Sequence, residues 1–414
     1  MHILLVHQYF LQKNGTGGSR FNEMVNFWSQ EGHQVTVLAG MIYHNSGYKY
    51  DEYKGKYFVD EKYAELVRVI RCHDSESGQS SFLSRLKVYL VFVFYSLYAG
   101  VFKAKDKYDV IVVTSPPLFV GITGYVLSLV KRVPFVFEIR DLWPESAVDA
   151  GVLKNKIIIN FALWFENLMY KRAKLINVLT PAFRESLIGD KKVPKDKIIF
   201  VPNAADFSLA EVVQQDFDSF EFKRDIGLEG KFVITYVGAH GIANHLTQLI
   251  CAAKDLQDTN LVIQLIGDGM EKKLLQKKVS EYNMKNVIFL DPVSKKDVFK
   301  YILSSDVGAS VLKKADTFKT VYSNKTFDYM SCRKPVLLAI DGVSRELIND
   351  ANCGVYVEPE NVSDVKEGIM KLMSMTQEEL NLLGENGYSY AQKHFDRRVL
   401  AKHYLNALMK IIRM

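Results

Sequence analysis

The sequence predicts an α/β protein of two successive Rossmann-like units, each a mostly parallel sheet flanked by helices. Three observations carry that prediction. Between His2 and Ala39 an apolar run, a glycine-rich turn, an amphipathic stretch and a second apolar run follow in order. The same order restarts at Lys231 and passes through Gly238-Ala-His-Gly241 and Gly267-Asp-Gly269. Beyond both starts, short apolar runs alternate with stretches of helical spacing, as in repeated βαβ units.

In the first unit, His2–His7 reads as a strand and Gly15-Thr-Gly-Gly18 as the turn after it. Ser19–Gln30 reads as a helix, because Phe21, Met24, Val25 and Trp28 fall on one face. Glu31-Gly-His33 ends it, and Gln34–Ala39 is the next strand. Val67–Arg71, Val110–Val113 and Phe135–Glu138 are further strands. In the second unit, Lys231–Val237 is a strand and about Asn244–Leu256 a helix. Leu261–Ile266, Val287–Leu290, Val307–Leu312, Val336–Ile340 and Gly354–Val357 continue the sheet. The joint falls near Val201-Pro-Asn-Ala-Ala-Asp206, and 206–225 reads as a poorly patterned acidic lead-in. The expected division is 1–204, 205–387 and a long helix over 388–414.

A chain of 414 residues with 48% hydrophobic side chains supports two or three domains with full cores. The net charge of +6 is modest, its lysine pairs are scattered, and no nucleic-acid motif accompanies them. No nucleic-acid partner is expected. The four cysteines form no C-x-x-C pair, so a reduced, cytoplasmic protein without structural zinc is expected. The opening Met-His-Ile-Leu-Leu-Val-His lacks a basic leader and reads as a strand rather than a signal peptide.

Two apolar segments stand apart. Val88–Phe102 is nearly all apolar or aromatic and lies between Arg85 and Lys87 before it and Lys103, Lys105 and Lys107 after it. It falls short of the roughly 20 residues a membrane span needs. It is either a helix buried against the sheet or one that dips into an anionic membrane surface. Ile157–Tyr170 is a second such helix, bracketed by Lys154, Lys156, Lys171, Arg172 and Lys174.

Four motifs carry candidate chemistry. Gly17 and Gly18 either admit a ligand close to the backbone or make a tight structural turn. Glu138-Ile-Arg-Asp-Leu-Trp-Pro-Glu145 follows a strand, at the end of the sheet that faces a ligand crevice. Arg140 and Asp141 there either hold an anion and a hydroxyl or belong to a network that fixes the loop. Gly238-Ala-His-Gly241 occupies the matching position in the second unit, with His240 and Gly241 expected to face a diphosphate. Most specific is Ser323-Asn-Lys-Thr-Phe-Asp-Tyr-Met330 before Pro335. A helix opening at Ser323 and Asn324 presents free N–H groups to a phosphate. Lys325 adds a point charge, and Asp328, one turn on, can accept hydrogen bonds from ribose hydroxyls.

This set, with Val201-Pro-Asn203, Tyr236-Val-Gly238, Ile266-Gly-Asp-Gly269 and Lys334-Pro-Val336, resembles the GT-B glycosyltransferases of family 4. The nearest branch is the WbuB-like group, associated with N-acetyl-L-fucosamine transfer in capsule and O-antigen assembly. The resemblance covers nearly the whole chain. It implies two facing Rossmann-like domains with a cleft between them and a C-terminal helix crossing back to the first. It also implies retaining, metal-independent transfer from a UDP-sugar to an undecaprenyl-diphosphate-linked glycan at the cytoplasmic membrane surface. No cofactor is implied beyond the UDP-sugar substrate.

By position, Asp328 matches the second acid of the family's E-x7-E motif. Ser323 and Asn324 match positions near the distal phosphate, Arg140 one near the donor sugar, and Asp291-Pro-Val293 the loop beside the base. Three departures stand out: Thr320 replaces the first acid, Arg333 a glycine, and Ala239 an arginine. A UDP-sugar 2-epimerase of the same architecture and a non-catalytic sugar-nucleotide binder are the competing readings. A nicotinamide dehydrogenase is disfavoured, since no acid ends the second strand.

Overall fold

The computed structural model describes residues 1–13, 20–42, 48–76, 82–149 and 153–413. Its strands are β1 (His2–Val6), β2 (Gln34–Gly40), β3 (Phe58–Ala64), β4 (Val67–Cys72), β5 (Val110–Ser115), β6 (Phe135–Ile139), β7 (Leu175–Val178) and β8 (Ile198–Phe200) in one sheet. A second sheet holds β9 (Phe232–Val237), β10 (Leu261–Ile266), β11 (Val287–Leu290), β12 (Val307–Val311), β13 (Val336–Ala339) and β14 (Gly354–Tyr356).

The chain divides into two compact units, Met1–Pro202 with Arg398–Met414, and Asn203–Arg397. The first sheet runs β3-β4-β2-β1-β5-β6-β7-β8 and is parallel apart from the β3–β4 hairpin. The second runs β11-β10-β9-β12-β13-β14 and is parallel throughout. In both, strand order reverses beside the first strand, at β1/β5 and at β9/β12. Ligands of open α/β sheets bind at the carboxyl ends of the strands flanking such a reversal.

Apolar runs without alternation suit strands covered on both faces. In the first unit Ile3, Leu5, Val35, Val37, Val110 and Val112 are buried among Phe21, Trp28 and Tyr404. β7 and β8 were not anticipated: Leu175–Val178 and Ile198–Phe200 are too short to show a period. The lead-in at 206–225 folds into two helices, Phe207–Gln215 and Ser219–Asp225, capped by the Asp206 and Asp218 carboxylates.

The expected single helix over 388–414 is corrected. Two helices, Gln377–His394 and Arg397–Arg413, meet at Phe395-Asp396. Asp396 pairs with Ala205 in an isolated bridge, the Ala205 N–H donates to the Phe395 carbonyl at 3.0 Å, and Arg397 donates to the Ala204 carbonyl at 2.8 Å. These bonds pull the backbone out of helical geometry. Only residues from Arg398 onward join the first unit, where Trp28 donates to the Ala401 carbonyl at 3.1 Å and stacks on Tyr404.

The 82–102 helix, Phe82–Phe102, has two apolar faces. Phe92, Val93, Ser96 and Ala99 are buried, whereas Leu90, Phe94, Tyr98 and Phe102 are exposed at four-residue spacing. Lys156–Arg172 is built the same way, with Ala162, Phe165, Glu166 and Met169 inside and Ile157, Phe161 and Trp164 outside. Among the described residues no helix is long and apolar enough to cross a membrane.

Candidate functional site

In the second unit, the loops after β9, β10 and β12 converge at the strand-order reversal. The helix Asn324–Ser331 follows the β12 loop; Phe327, Tyr329 and Met330 bury its inner face. Tyr329 pins it to the sheet. Its hydroxyl donates to the Ala309 carbonyl at 3.0 Å and accepts from the Val237 N–H at 3.2 Å. Gly308 makes room, since a Cβ there would lie 2.2 Å from the Tyr329 ring.

This anchoring presents Lys325 and Asp328 at the crevice. The Lys325 Nζ lies 5.0 Å from the centroid of the Tyr236 ring, and a Cβ at Gly238 would fall 2.7 Å from Lys325 Cε. Gly238 has a φ of 141°, a backbone that glycine accepts and other residues resist. Burial pulls the Lys325 ammonium down to about 8, against the opposing pull of Asp328. Burial pushes the Asp328 carboxyl up to about 6, with Lys295 and Lys325 lowering it and Asp206 raising it. Asp206 itself pairs with Lys295 at 2.6 Å.

Ser323 occupies the N-cap without a side-chain capping bond, Asn324 is exposed at the first position, and the buried Thr326 hydroxyl has no hydrogen-bond partner. The first turn therefore has donors to spare. Thr320 donates to the Thr317 carbonyl at 2.7 Å within its own loop. Beside that loop a cavity of about 230 Å³ is lined by Lys313, Lys319, Asp341 and Glu358.

His240 corrects an expectation. Its ring is fully buried, near the Tyr236 and Phe289 rings, and neither ring nitrogen has a partner. Burial and the nearby Lys272 pull it down to about 4, so it is neutral near pH 7. Backbone contacts hold it inside: its N–H donates to the Asp268 carbonyl at 2.8 Å, and its carbonyl accepts from Glu271 at 2.9 Å. A Cβ at Gly269 would strike this backbone, so glycine permits the close packing of the two loops. Gly241 has ordinary extended geometry, and a Cβ there would make only ordinary contact with Asn244 Oδ1 at 3.7 Å. Val293 lies half-buried before the helix Lys295–Ser304.

In the first unit, Gly17 and Gly18 lie outside the described residues. Arg140 and Asp141 follow β6. The half-buried Arg140 has no partner at Nε, and burial lowers its guanidinium, with Glu138 opposing and Arg20 assisting. Asp141 accepts from Ser146 at 2.7 Å, and burial raises its carboxyl. Glu138, though part of the same motif, is structural: fully buried, it holds Arg20 at 3.0 Å and Asn177 at 2.8 Å.

Sequence reasoning missed Tyr236, Tyr329, Thr326, Asp206 and Lys295. Tyr236, Thr326 and Tyr329 stand in the quoted motifs and Asp206 in the joint, but none of them has a role at the site there, and Lys295 belongs to one of the scattered lysine pairs. Among the described residues no group of three His, Cys, Asp or Glu side chains could hold a metal ion.

Comparison with known proteins fits this geometry. Residues 15–204 match the family described as glycosyl transferase 4-like domain, and 218–390 match glycosyl transferases group 1. The two units are glycosyltransferase domains of the GT-B type. The Escherichia coli (strain K12) protein named "Putative colanic acid biosynthesis glycosyl transferase WcaI" is 22% identical over 396 residues, spanning 94% of this chain and 95% of that one. Among solved structures, sucrose-phosphate synthase from Thermosynechococcus elongatus superposes with a TM-score of 0.74 at 15% identity, over 100% of this chain and 99% of the other. HepE of Anabaena, solved in complex with UDP, gives 0.71 at 16% identity over 99% and 100%. These structures share the fold. The GT-B type makes Lys325, Asp328 and the Ser323 turn the residues to test for nucleotide binding.

Proposed function

We propose that this glycosyltransferase moves a sugar, with retention, from a UDP-sugar to a lipid-linked glycan during bacterial surface polysaccharide synthesis. The observation that carries the donor half is the placement of Lys325 and Asp328 at the β9/β12 reversal, on a helix whose first turn has spare donors. Asp328 would accept the ribose hydroxyls; Lys325, the first-turn N–H groups and the Thr326 hydroxyl would meet the diphosphate. HepE, a fold neighbour, binds UDP. WcaI, similar along nearly its whole length, is named for colanic acid biosynthesis. N-acetyl-L-fucosamine or another N-acetylated hexose is the donor sugar of choice, and its ring hydroxyls meet Thr320 where the family has an acid.

The glycosidic C–O bond breaks with charge building on the UDP phosphate, and fixed donors stabilise it. One preorganised donor of this kind is worth about 10²–10³ in rate. Arg140 steadies the donor sugar side. The Asp141 carboxylate accepts a hydrogen bond from the attacking hydroxyl, whose proton passes to the departing phosphate. No metal takes part in this scheme. The exposed apolar stripes of the 82–102 and 156–172 helices, with lysines at their ends, suit the surface of an anionic cytoplasmic membrane. That surface would carry the undecaprenyl-diphosphate-linked acceptor.

A thermal-shift panel of UDP-, GDP- and dTDP-sugars tests the donor. A ligand that binds only the native state raises its stability as concentration exceeds Kd. A shift confined to UDP-sugars and lost in Asp328→Asn is expected. Equal shifts with all three nucleotides, or none, would overturn the reading.

A further inference from the structure

The Arg140–Asp141 loop runs into a short helix, Glu145–Asp149, and is tied down by a lysine far along the chain. Lys191 follows the helix Pro181–Gly189, where its backbone N–H donates to the Ser186 carbonyl at 3.1 Å. Its ammonium reaches two carboxylates: Glu145 at the end of the loop, and Glu166 at 2.7 Å on the buried face of the Lys156–Arg172 helix. Glu166 is fully buried and also accepts from the Tyr170 hydroxyl at 2.5 Å. Only about a tenth of the Lys191 side chain is exposed. Three elements thus meet at one cation, and the loop has no other ion pair among the described residues.

We propose that Lys191 is a positioning residue for the Arg140–Asp141 loop, holding it through Glu145 against the buried face of the Lys156–Arg172 helix. The geometry argues for more than generic packing. Two carboxylates facing one buried site repel each other unless a cation stands between them. Without Lys191, Glu145 would swing out toward water, where its half-exposed side chain already reaches. Trp143 and Asp141 would shift with it: the Asp141 side chain is held by Ser146 and the backbone around Leu142, the Arg140 N–H donates to the Ser115 carbonyl at 3.0 Å, and Trp143 makes an edge contact with Phe119. Burial lowers the Lys191 ammonium, but the two carboxylates overcome this and hold it above its ordinary value, so it stays charged. Burial and the Glu145 charge keep Glu166 raised, with Lys191 and Tyr170 opposing. Glu145 also raises Asp141. Lys191 therefore offsets the one negative charge that acts on Asp141 from its own loop.

The catalytic part of the test rests on the function proposed above; the structural part does not. In the full chain, Lys191→Met removes the charge at similar size, and Lys191→Arg keeps it. Hydrogen exchange over 141–149 should speed up in Lys191→Met and return toward wild type in Lys191→Arg, with exchange over β5 unchanged. Acceptor-free hydrolysis of the UDP-sugar giving the largest thermal shift should show kcat down about 10²-fold, as for a small misplacement of a reacting group, with KM unchanged. The acid limb of kcat should move to higher pH, because Glu145 then acts on Asp141 uncompensated. Glu145→Gln should also loosen the loop but move that limb to lower pH, and it serves if Lys191→Met does not fold. Unchanged exchange over 141–149 in either variant overturns the proposal, as does Lys191→Arg behaving like Lys191→Met. Faster exchange with no UDP-sugar hydrolysed by the wild type would instead remove the functional reading and leave the positioning role standing.

Discussion

The Lys325 ammonium sits 5.0 Å above the Tyr236 ring, over a glycine whose missing Cβ leaves it room. The ring's negative face favours the cation, and the Tyr236 hydroxyl donates to the Ala239 carbonyl at 2.8 Å, which fixes the loop below. A half-buried cation is therefore held at the sheet's crevice beside a single nearby acid, Asp328.

Gly238→Ala tests that arrangement. The new Cβ meets Lys325 Cε at 2.7 Å, and the φ of 141° costs a non-glycine residue about 1–3 kcal/mol. The flexible lysine is expected to yield, leaving the fold intact by circular dichroism and the UDP-sugar thermal shift strongly reduced. Lys325→Ala should reduce that shift similarly and lower kcat by about 10²–10³.

Donor affinity should depend on pH at both ends. Asp328 titrates at about 6 in the free protein, and only its ionised form accepts two hydroxyl bonds; Lys325 loses its proton at about 8. UDP-sugar affinity should rise with pH through about 6 and fall above about 8. Asp328→Asn should abolish the lower inflection and, by removing the charge that raises Lys325, move the upper one to lower pH, measured by calorimetric titration. Because burial raises Asp328 above its ordinary value, its ionisation costs the unliganded protein stability as pH rises from the ordinary carboxylate range to about 6.

Tyr329→Phe removes the hydroxyl between the Ala309 carbonyl and the Val237 N–H. Leaving buried backbone groups unpaired costs about 1–3 kcal/mol. The thermal midpoint should fall by about 2–4 °C per kcal/mol for a unit of this size. Weaker UDP-sugar binding should accompany it, since this bond sets the seat of the Lys325 helix.

Arg333 shows how the chain manages without the glycine usual at that position. Its φ of 54° is left-handed, a conformation costing a side chain about 1–2 kcal/mol. Its guanidinium lies 3.6 Å from the Tyr388 ring centroid and pairs with Glu385 at 2.7 Å. Arg333→Ala loses these contacts and keeps the strain, so it should destabilise by about 1 kcal/mol. Arg333→Gly loses the contacts but relieves the strain and should be close to neutral in denaturant titration.

Phe94→Ser with Trp164→Ser should weaken binding to vesicles containing anionic phosphatidylglycerol. Each large apolar side chain withdrawn from the interface forfeits up to about 1.5–3 kcal/mol. Sedimentation should fall at least tenfold, whereas Leu382→Ser, exposed in the other unit, should change nothing. Undiminished sedimentation would place the apolar stripes outside the membrane contact.

Much of the fold was legible because a parallel sheet covered on both faces writes itself as repeated apolar runs. The helix opening at Ser323 was legible too, since its turn, cation and acid lie within six residues. Illegible were β7 and β8, too short for any period, and the break at Phe395-Asp396, imposed by a bridge to Ala205. His240 misled because a histidine in a glycine turn suggests exposure. Here the glycines instead let two backbones close over it.

By itself the sequence determined the doubly wound units, the second unit's glycine turns and the residue types at its crevice, because those depend on local spacing. Tertiary structure alone decided how they are held: Tyr329 bonded to two strands, Glu138 turned inward onto Arg20, and Lys191 between Glu145 and Glu166. Those pairings join residues tens to more than a hundred positions apart. No local pattern encodes them, since they arise only when packing leaves a buried charge or backbone group in need of a partner.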